Sequence, residues 1–187
     1  MQPSFQDRIL ASAVIGKLIE TNKIPLERAR KLTLLERRTL ESTGVYELID
    51  EKKLSVNQAL ALTTGQLINL NSSGIRDLIK KKRLPLEIAL ALTVDQRANL
   101  EPDIVRELIT TDRFSLEQAV KLTVEERHNF ESGMVIELID TGRISLERAL
   151  SITPEQRYKL DHGKVSEVTT VIDQLTRQEC PHHQHHI

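Results

Sequence analysis

The last residues of the chain hold the densest group of side chains that could bind a metal ion. One cysteine and four histidines lie there: Cys180, His182, His183, His185 and His186. Thiolate and imidazole are borderline to soft ligands that suit Zn²⁺ or Ni²⁺. Structural zinc sites, however, take their ligands from a folded frame, which this segment does not offer. We therefore interpret 180–187 as a disordered His-rich tail and keep a metal site there as the alternative.

A second candidate is the basic run from Lys80 to Arg83, preceded by Arg76. Such a run could contact nucleic-acid phosphates or act as a nuclear-import signal. The alternative is a solvated helix end, where cations complement the negative end of the helix dipole. Lys and Arg number 26 against 27 Asp and Glu, and aromatic residues make up 3% of the chain. Neither charge nor stacking side chains favour nucleic acid. Because neighbouring repeats hold Asp50, Glu51 and Asp140 at the same positions as this run, we prefer the helix-end interpretation.

Catalytic motifs do not occur in the sequence. G-x-S-x-G, G-x-x-x-x-G-K-[ST], H-E-x-x-H and G-x-G-x-x-G are all missing. His128 stands apart from other histidines, and we expect it on an exposed helix surface. No enzymatic activity and no cofactor are expected.

The elements that position these side chains follow from an internal repeat of 30 residues. A fixed period of this length is typical of helical-repeat proteins. The strictest series are Leu18, Leu48, Leu78, Leu108 and Leu138, then Ala29, Ala59, Ala89, Ala119 and Ala149, then Thr33, Thr63, Thr93, Thr123 and Thr153.

Each repeat is predicted to form three short helices. In the second repeat Val45, Leu48 and Ile49 have i, i+3, i+4 spacing, which predicts a helix over about 42–52. A second helix is expected after Ser55. A third is expected to begin after Thr63 and to end near Leu70. Helices of about 8–11 residues are not stable alone, so neighbouring repeats must cover their apolar faces.

Capping signals set the helix starts. Each threonine of the series is followed three residues later by Glu or Gln, the pattern of a capping box. The five predicted boxes are Thr33–Glu36, Thr63–Gln66, Thr93–Gln96, Thr123–Glu126 and Thr153–Gln156. Ser55, Ser115 and Ser145 are predicted N-caps of the second helices, where Pro25 and Pro85 stand in the other repeats.

The predicted fold class is all-α, an α-solenoid of about five three-helix repeats with atypical capping ends. We assign 1–179 to one domain, with a partial N-terminal cap over 1–12 and repeats over 13–162. A capping helix is expected over 163–179. Its apolar stripe is predicted to be Val165, Val168, Ile172 and Leu175.

Positions that vary between repeats are candidates for partner binding. We expect one such series on the exposed flank of the first helix and another on the third helix, with neutral surface variation as the alternative. The candidate residues are Tyr46, Arg76, Arg106 and Ile136 on the first helix, Lys80 one turn on, and His128 and Tyr158 on the third. Aromatic and Arg side chains carry much of the binding energy in protein interfaces.

The repeats resemble short helical repeats in proteins of intracellular bacterial pathogens. The resemblance covers 13–162 and is carried by the phrase Leu-Ser/Pro-Leu-Glu-x-Ala-Leu-x-Leu-Thr-x-Glu-Gln-Arg-x-Asn-Leu-Glu-Ser. It implies an interaction scaffold, and some proteins with such repeats are secreted effectors. Many of those effectors end in a Glu-rich secretion signal, whereas this chain ends in a His-rich segment.

These observations favour a non-catalytic scaffold that binds a protein, with a nucleic-acid-binding helical solenoid as the alternative. We expect a monomer in the cytoplasm, or in the host-cell cytosol if the chain is secreted. The N-terminus lacks the apolar core of a signal peptide, and no stretch reaches the roughly 18 apolar residues of a membrane helix. One cysteine fits a reducing compartment.

Overall fold

The computed structural model describes residues 12–177, and this part of the chain is all-α, as predicted. It contains helices of 5 to 13 residues and no strand. They are α1 (Ala13–Glu20), α2 (Leu26–Arg30), α3 (Leu34–Glu41), α4 (Thr43–Asp50), α5 (Val56–Leu60), α6 (Thr64–Asn71), α7 (Ser73–Lys80), α8 (Leu86–Ala91), α9 (Val94–Asn99), α10 (Asp103–Thr110), α11 (Leu116–Val120), α12 (Val124–Asn129), α13 (Gly133–Asp140), α14 (Leu146–Leu150), α15 (Pro154–His162) and α16 (Val165–Arg177).

The chain is organised in two compact units, Met1–Arg97 and Ala98–Ile187. In each unit a first helix of 8 residues is followed by a shorter second helix and then a third. The second helices have only 5 or 6 residues, so the expected length of 8–11 is wrong for them. They are single capped turns whose backbone is held by the caps and by burial of one alanine each.

All five predicted capping boxes are confirmed. In the first, the Glu36 N–H donates to Thr33 Oγ1 over 3.1 Å and the Thr33 N–H donates to the Glu36 carboxylate over 3.0 Å. The same reciprocal pair of bonds is present at Thr63, Thr93, Thr123 and Thr153. The predicted serine caps of the second helices are also present, with Pro25 and Pro85 at the same place elsewhere.

The first helices end in a Schellman motif. In α1 the Lys23 N–H donates to Leu18 O over 2.8 Å and the Asn22 N–H donates to Ile19 O over 3.1 Å. The residue between helix and loop then adopts a left-handed conformation, which glycine accepts without steric cost. This position holds Asn22, Lys52, Lys82, Asp112 and Gly142.

Replacing Lys82 by glycine is expected to raise the free energy of unfolding by about 0.5–1 kcal/mol, because it relieves the strain of a left-handed β-carbon. Lys82 has φ of 58°. The reverse change, Gly142→Ala, should lower the free energy of unfolding by a similar amount. Urea denaturation followed by circular dichroism measures both. No gain in the first variant together with no loss in the second would show that the Schellman position carries no strain.

The repeated apolar series form the core. The leucines at Leu18, Leu48 and equivalent positions are at most 1% exposed, and the alanines of the second helices are fully buried. The series of third-helix residues from Leu40 to Leu160 is buried as well, including Phe130, whose ring packs against that of Phe114.

The predicted apolar stripe of α16 is wrong at its first residue. Val165 is 84% exposed, and the residues that α16 buries are Val171 and Leu175, with Val168 and Ile172 half-buried. The reason lies in α15, which continues through His162 to a cap at Gly163. Earlier in the chain, a single residue such as Ser42 is both the C-cap of a third helix and the N-cap of the first helix that follows. α16 therefore begins at Val165, two residues later in the repeat than α4, which begins at Thr43.

No helix within residues 12–177 is long and apolar enough to cross a membrane.

Candidate interaction surface

A buried Asn–Arg network holds the third helix α6 in the first unit. The Asn69 side-chain amide donates to Ala89 O over 3.1 Å and to Leu92 O over 3.0 Å. Arg97 then donates to Asn69 Oδ1 over 2.9 Å. Asn69 is 2% exposed, and these three bonds use both of its amide hydrogens and its carbonyl oxygen. One asparagine therefore joins α6 to the end of α8, the loop after it and α9.

The second unit contains the same network twice. Asn99 donates to Val120 O and Leu122 O, and Asn129 donates to Ala149 O and Ile152 O. Arg127 and Arg157 donate to the two asparagine oxygens. Sequence reasoning missed this network, although its members recur with the 30-residue period: Asn69, Asn99 and Asn129, and Arg97, Arg127 and Arg157.

The first-helix series is not an exposed flank, and this expectation is wrong. Arg76 and Arg106 have side chains only 12% and 17% exposed, and Tyr46 and Ile136 are half-buried. Arg76 donates to Leu70 O and Arg106 to Leu100 O, each over 3.0 Å. These carbonyls belong to the last turn of a third helix, where no intrahelical donor is available. The two arginines therefore cap the end of the preceding third helix. Partner binding by this series stays a prediction.

The basic run is partly neutralised in the structure. Lys80 pairs with Glu47 and, over 3.3 Å, with Glu51, while Lys81 pairs with Asp77 over 3.0 Å. Arg76 Nε donates to Glu47 Oε2 over 2.9 Å. The hydrogen bond from Lys80, and then that from Arg76, lower the pKa of the Glu47 carboxyl below its ordinary value. The hydrogen bond to Glu47 likewise raises the pKa of Lys80.

The third-helix series includes exposed apolar residues. Ile68 in the first unit and Tyr158 in the second are exposed, and Tyr158 packs its ring 4.9 Å from that of His162. His128 and Ala98 are half-buried, so the expectation that His128 lies on an exposed helix surface is only partly met.

More exposed apolar residues begin the third helices. The first residue after the capping threonine is Leu34 in α3, Val94 in α9 and Val124 in α12, and all three are exposed. The first and fifth residues of a helix lie on the same side. We call these two positions the third-helix face. Its members are Leu34, Arg38, Thr64, Ile68 and Val94 in the first unit, and Ala98, Val124, His128, Pro154 and Tyr158 in the second.

Comparison with known proteins gives no relative. No family model, no curated protein and no solved structure matches this chain.

The position of metal-binding side chains is known for the described residues only. Within residues 12–177 no group of three His, Cys, Asp or Glu side chains could hold a metal ion. The proposed ligands Cys180, His182, His183, His185 and His186 lie outside the described residues. An open depression of about 380 Å³ in the first unit is lined by nine residues, of which three are lysines: Lys23, Lys52 and Lys53.

Proposed function

We propose that this protein is a non-catalytic scaffold for protein–protein interaction, built as an α-solenoid of about five three-helix repeats that binds its partner with the third-helix face. The observation that carries the proposal is the exposure of large apolar side chains at equivalent positions of the third helices.

The fold does not require apolar residues on this face. At the first position after the capping threonine, Thr64 and Pro154 begin the same helix as well as Leu34 or Val94 does. At the fifth position Arg38 takes the place of Ile68. Clustered exposed apolar groups are typical of surfaces that bind other proteins, and here such groups recur at equivalent positions of the third helices within each unit. Tyrosine and arginine, both present here, are enriched among the residues that dominate such binding.

The Asn–Arg network suits this function because it holds the third helices in place. A face that is already ordered loses little conformational freedom when a partner binds, so more of the contact energy appears as affinity. Asn69 is buried and immediately follows the exposed Ile68 in the chain, so one helix carries a residue of the network and a residue of the face. Constant buried positions and variable exposed positions thus lie side by side on one helix.

The resemblance to repeats of intracellular bacterial pathogens extends the proposal to an effector that acts in the cytosol of a host cell. This extension depends on the sequence resemblance alone.

A matched pair of double variants tests the face. Leu34→Ser with Ile68→Ser removes two side chains of the face that are 42% and 48% exposed. Leu26→Ser with Ile88→Ser removes the same two residue types from second helices, where each is 44% exposed. We expect the first variant to retain no more than about one tenth of the partner that the wild type captures, as loss of about 1.4 kcal/mol implies.

Affinity capture from host-cell cytosol, quantified by mass spectrometry, is the measurement. Circular dichroism of both variants checks that the fold is retained. Equal capture by the two variants, or a loss confined to the second-helix variant, would mean that the third-helix face is not the binding surface.

A further inference from the structure

A polar cleft lies at the C-terminal side of the second unit, where α16 packs beside the last repeat. Its volume is about 410 Å³, and it is lined by Arg148, Ser151, Thr153, Gln156, Gln174 and Leu175. The lining contains one cation and no carboxylate. Two hydroxyls and two side-chain amides complete its polar surface. The Ser151 hydroxyl already donates to Arg148 O over 2.9 Å, so the guanidinium and the two amides are the main donors that remain.

One nitrogen of the Arg148 guanidinium in this cleft lacks a hydrogen-bond partner. This nitrogen is Nε, which is inaccessible to water, and the guanidinium forms no ion pair with any residue between 12 and 177. A buried guanidinium nitrogen without an acceptor is unfavourable, because the donor has lost water and gained no replacement.

The position of Arg148 shows that the arginine is not required by the fold. In two other repeats the same position holds Gln58 or Gln118, whose side chain returns to cap the serine at the helix start. Arg148 has no acceptor atom with which to form that bond. The serine cap is still present, since the Arg148 N–H donates to Ser145 Oγ over 3.1 Å. The long cationic side chain is therefore left to line the cleft.

The amides in the cleft add donors around the arginine. Gln156 uses its oxygen to accept from the Thr153 N–H over 3.0 Å, which leaves its NH₂ group as a donor. Gln174 comes from α16 and forms no hydrogen bond through its side chain within the described part of the chain. A planar guanidinium with flanking NH₂ groups matches the two oxygens of a carboxylate or the oxygens of a phosphate.

We propose that this cleft binds an oxyanion, a carboxylate or phosphate group, through the Arg148 guanidinium with help from Gln156 and Gln174. The site is separate from the third-helix face, and its occupation does not require the protein partner of the proposed function.

The test is a titration of the full-length, ¹⁵N-labelled protein with sodium phosphate and, separately, with sodium acetate, at constant ionic strength set by sodium chloride. The Nε–H signal of Arg148 and the NH₂ signals of Gln156 and Gln174 are followed by nuclear magnetic resonance. We expect these signals to shift to saturation with at least one of the two anions. Saturation by phosphate or by acetate then identifies which oxyanion the cleft prefers.

Arg148→Gln is the decisive variant because glutamine restores the reciprocal cap seen at Gln58 and Gln118, so the fold should be kept. We expect it to weaken the anion affinity at least about tenfold, the loss of one charged hydrogen-bonding partner. Arg28→Gln is the matched control: it makes the same substitution at the equivalent, exposed position of the first repeat and should leave the affinity unchanged. Shifts that rise linearly with both anions, or an affinity that survives Arg148→Gln, would overturn the proposal.

Discussion

Replacing Asn69 by alanine is expected to lower the free energy of unfolding by about 3 kcal/mol, one of the two largest effects of a single substitution in this protein. The change leaves Ala89 O and Leu92 O without their donor and removes the acceptor of Arg97. Because the site is buried, water cannot replace these partners without a rearrangement of α6 against α8. Urea denaturation followed by circular dichroism measures this difference in the free energy of unfolding between the variant and the wild type.

Two further variants distinguish the loss of the Asn69 hydrogen bonds from the general effect of shortening a side chain. Thr39 occupies the equivalent position of the first repeat, and its hydroxyl donates to Leu35 O of its own helix. Thr39→Ala should therefore change the free energy of unfolding by less than about 1 kcal/mol. Asn69→Asp keeps the shape and the bond to Arg97 but cannot donate to the two carbonyls, so it should remain strongly destabilising. Equal effects at Asn69 and Thr39 would contradict a stabilising role for the network.

Gly44→Ala is expected to lower the free energy of unfolding by about 3 kcal/mol or more, because α4 and the end of α6 approach each other too closely for a side chain. A β-carbon at Gly44 would lie 2.3 Å from Leu70 O and 2.9 Å from Arg76 Nη1. The clash involves backbone, which cannot rotate away as a flexible side chain can. It would also separate the Arg76 guanidinium from the carbonyl that it caps.

Gly16→Ala is the matched control, since Gly16 lies inside a first helix and a β-carbon there would meet nothing within 4 Å. Alanine in place of glycine in a helix interior should raise the free energy of unfolding by about 0.5–1 kcal/mol. Thermal denaturation of the two variants should thus give shifts of opposite sign. A stable Gly44→Ala variant would show that the helices are farther apart than the structure places them.

The features that the sequence predicts correctly are local or strictly periodic. A capping box involves residues three positions apart, so Thr33 and Glu36 are sufficient to recognise it. The apolar series are spaced by one repeat, and all-α structure follows from their helical spacing. The prolines that replace serine, such as Pro25, are also found at the predicted N-cap position of the second helix.

The features that sequence reasoning misses depend on which residues are close in space although they are distant in the chain. Arg76 was expected in solvent because it lies off the apolar stripe of its helix, but its side chain is long enough to reach Leu70 O. The partners of Asn69 lie 20 to 28 residues away, beyond any local pattern. The period itself was a usable signal for the asparagines, since a polar residue repeated at a core-facing position must have a buried partner. The cleft beside α16 has no such signal, because it arises from the packing of a non-repeated helix.

The variable face and the constant network divide the third helix between two roles. Asn99 and Asn129 hold backbone carbonyls inside the second unit, whereas Val124 and Tyr158 lie exposed on helices that the network fixes. We expect substitutions on the exposed positions to change binding with little effect on stability. Substitutions of the asparagines should change stability first.

Site-specific photo-crosslinking is the most direct test of the proposed binding face. A benzoylphenylalanine residue replaces Val94, which is 69% exposed on the third-helix face, and in a separate protein it replaces Ile88 on a second helix. Each full-length protein is irradiated in host-cell cytosol and the adducts are identified by mass spectrometry. We predict a discrete protein adduct from position 94 and none from position 88. Adducts from position 88 alone, equal adducts from both positions, or none from either would contradict partner binding by the third-helix face.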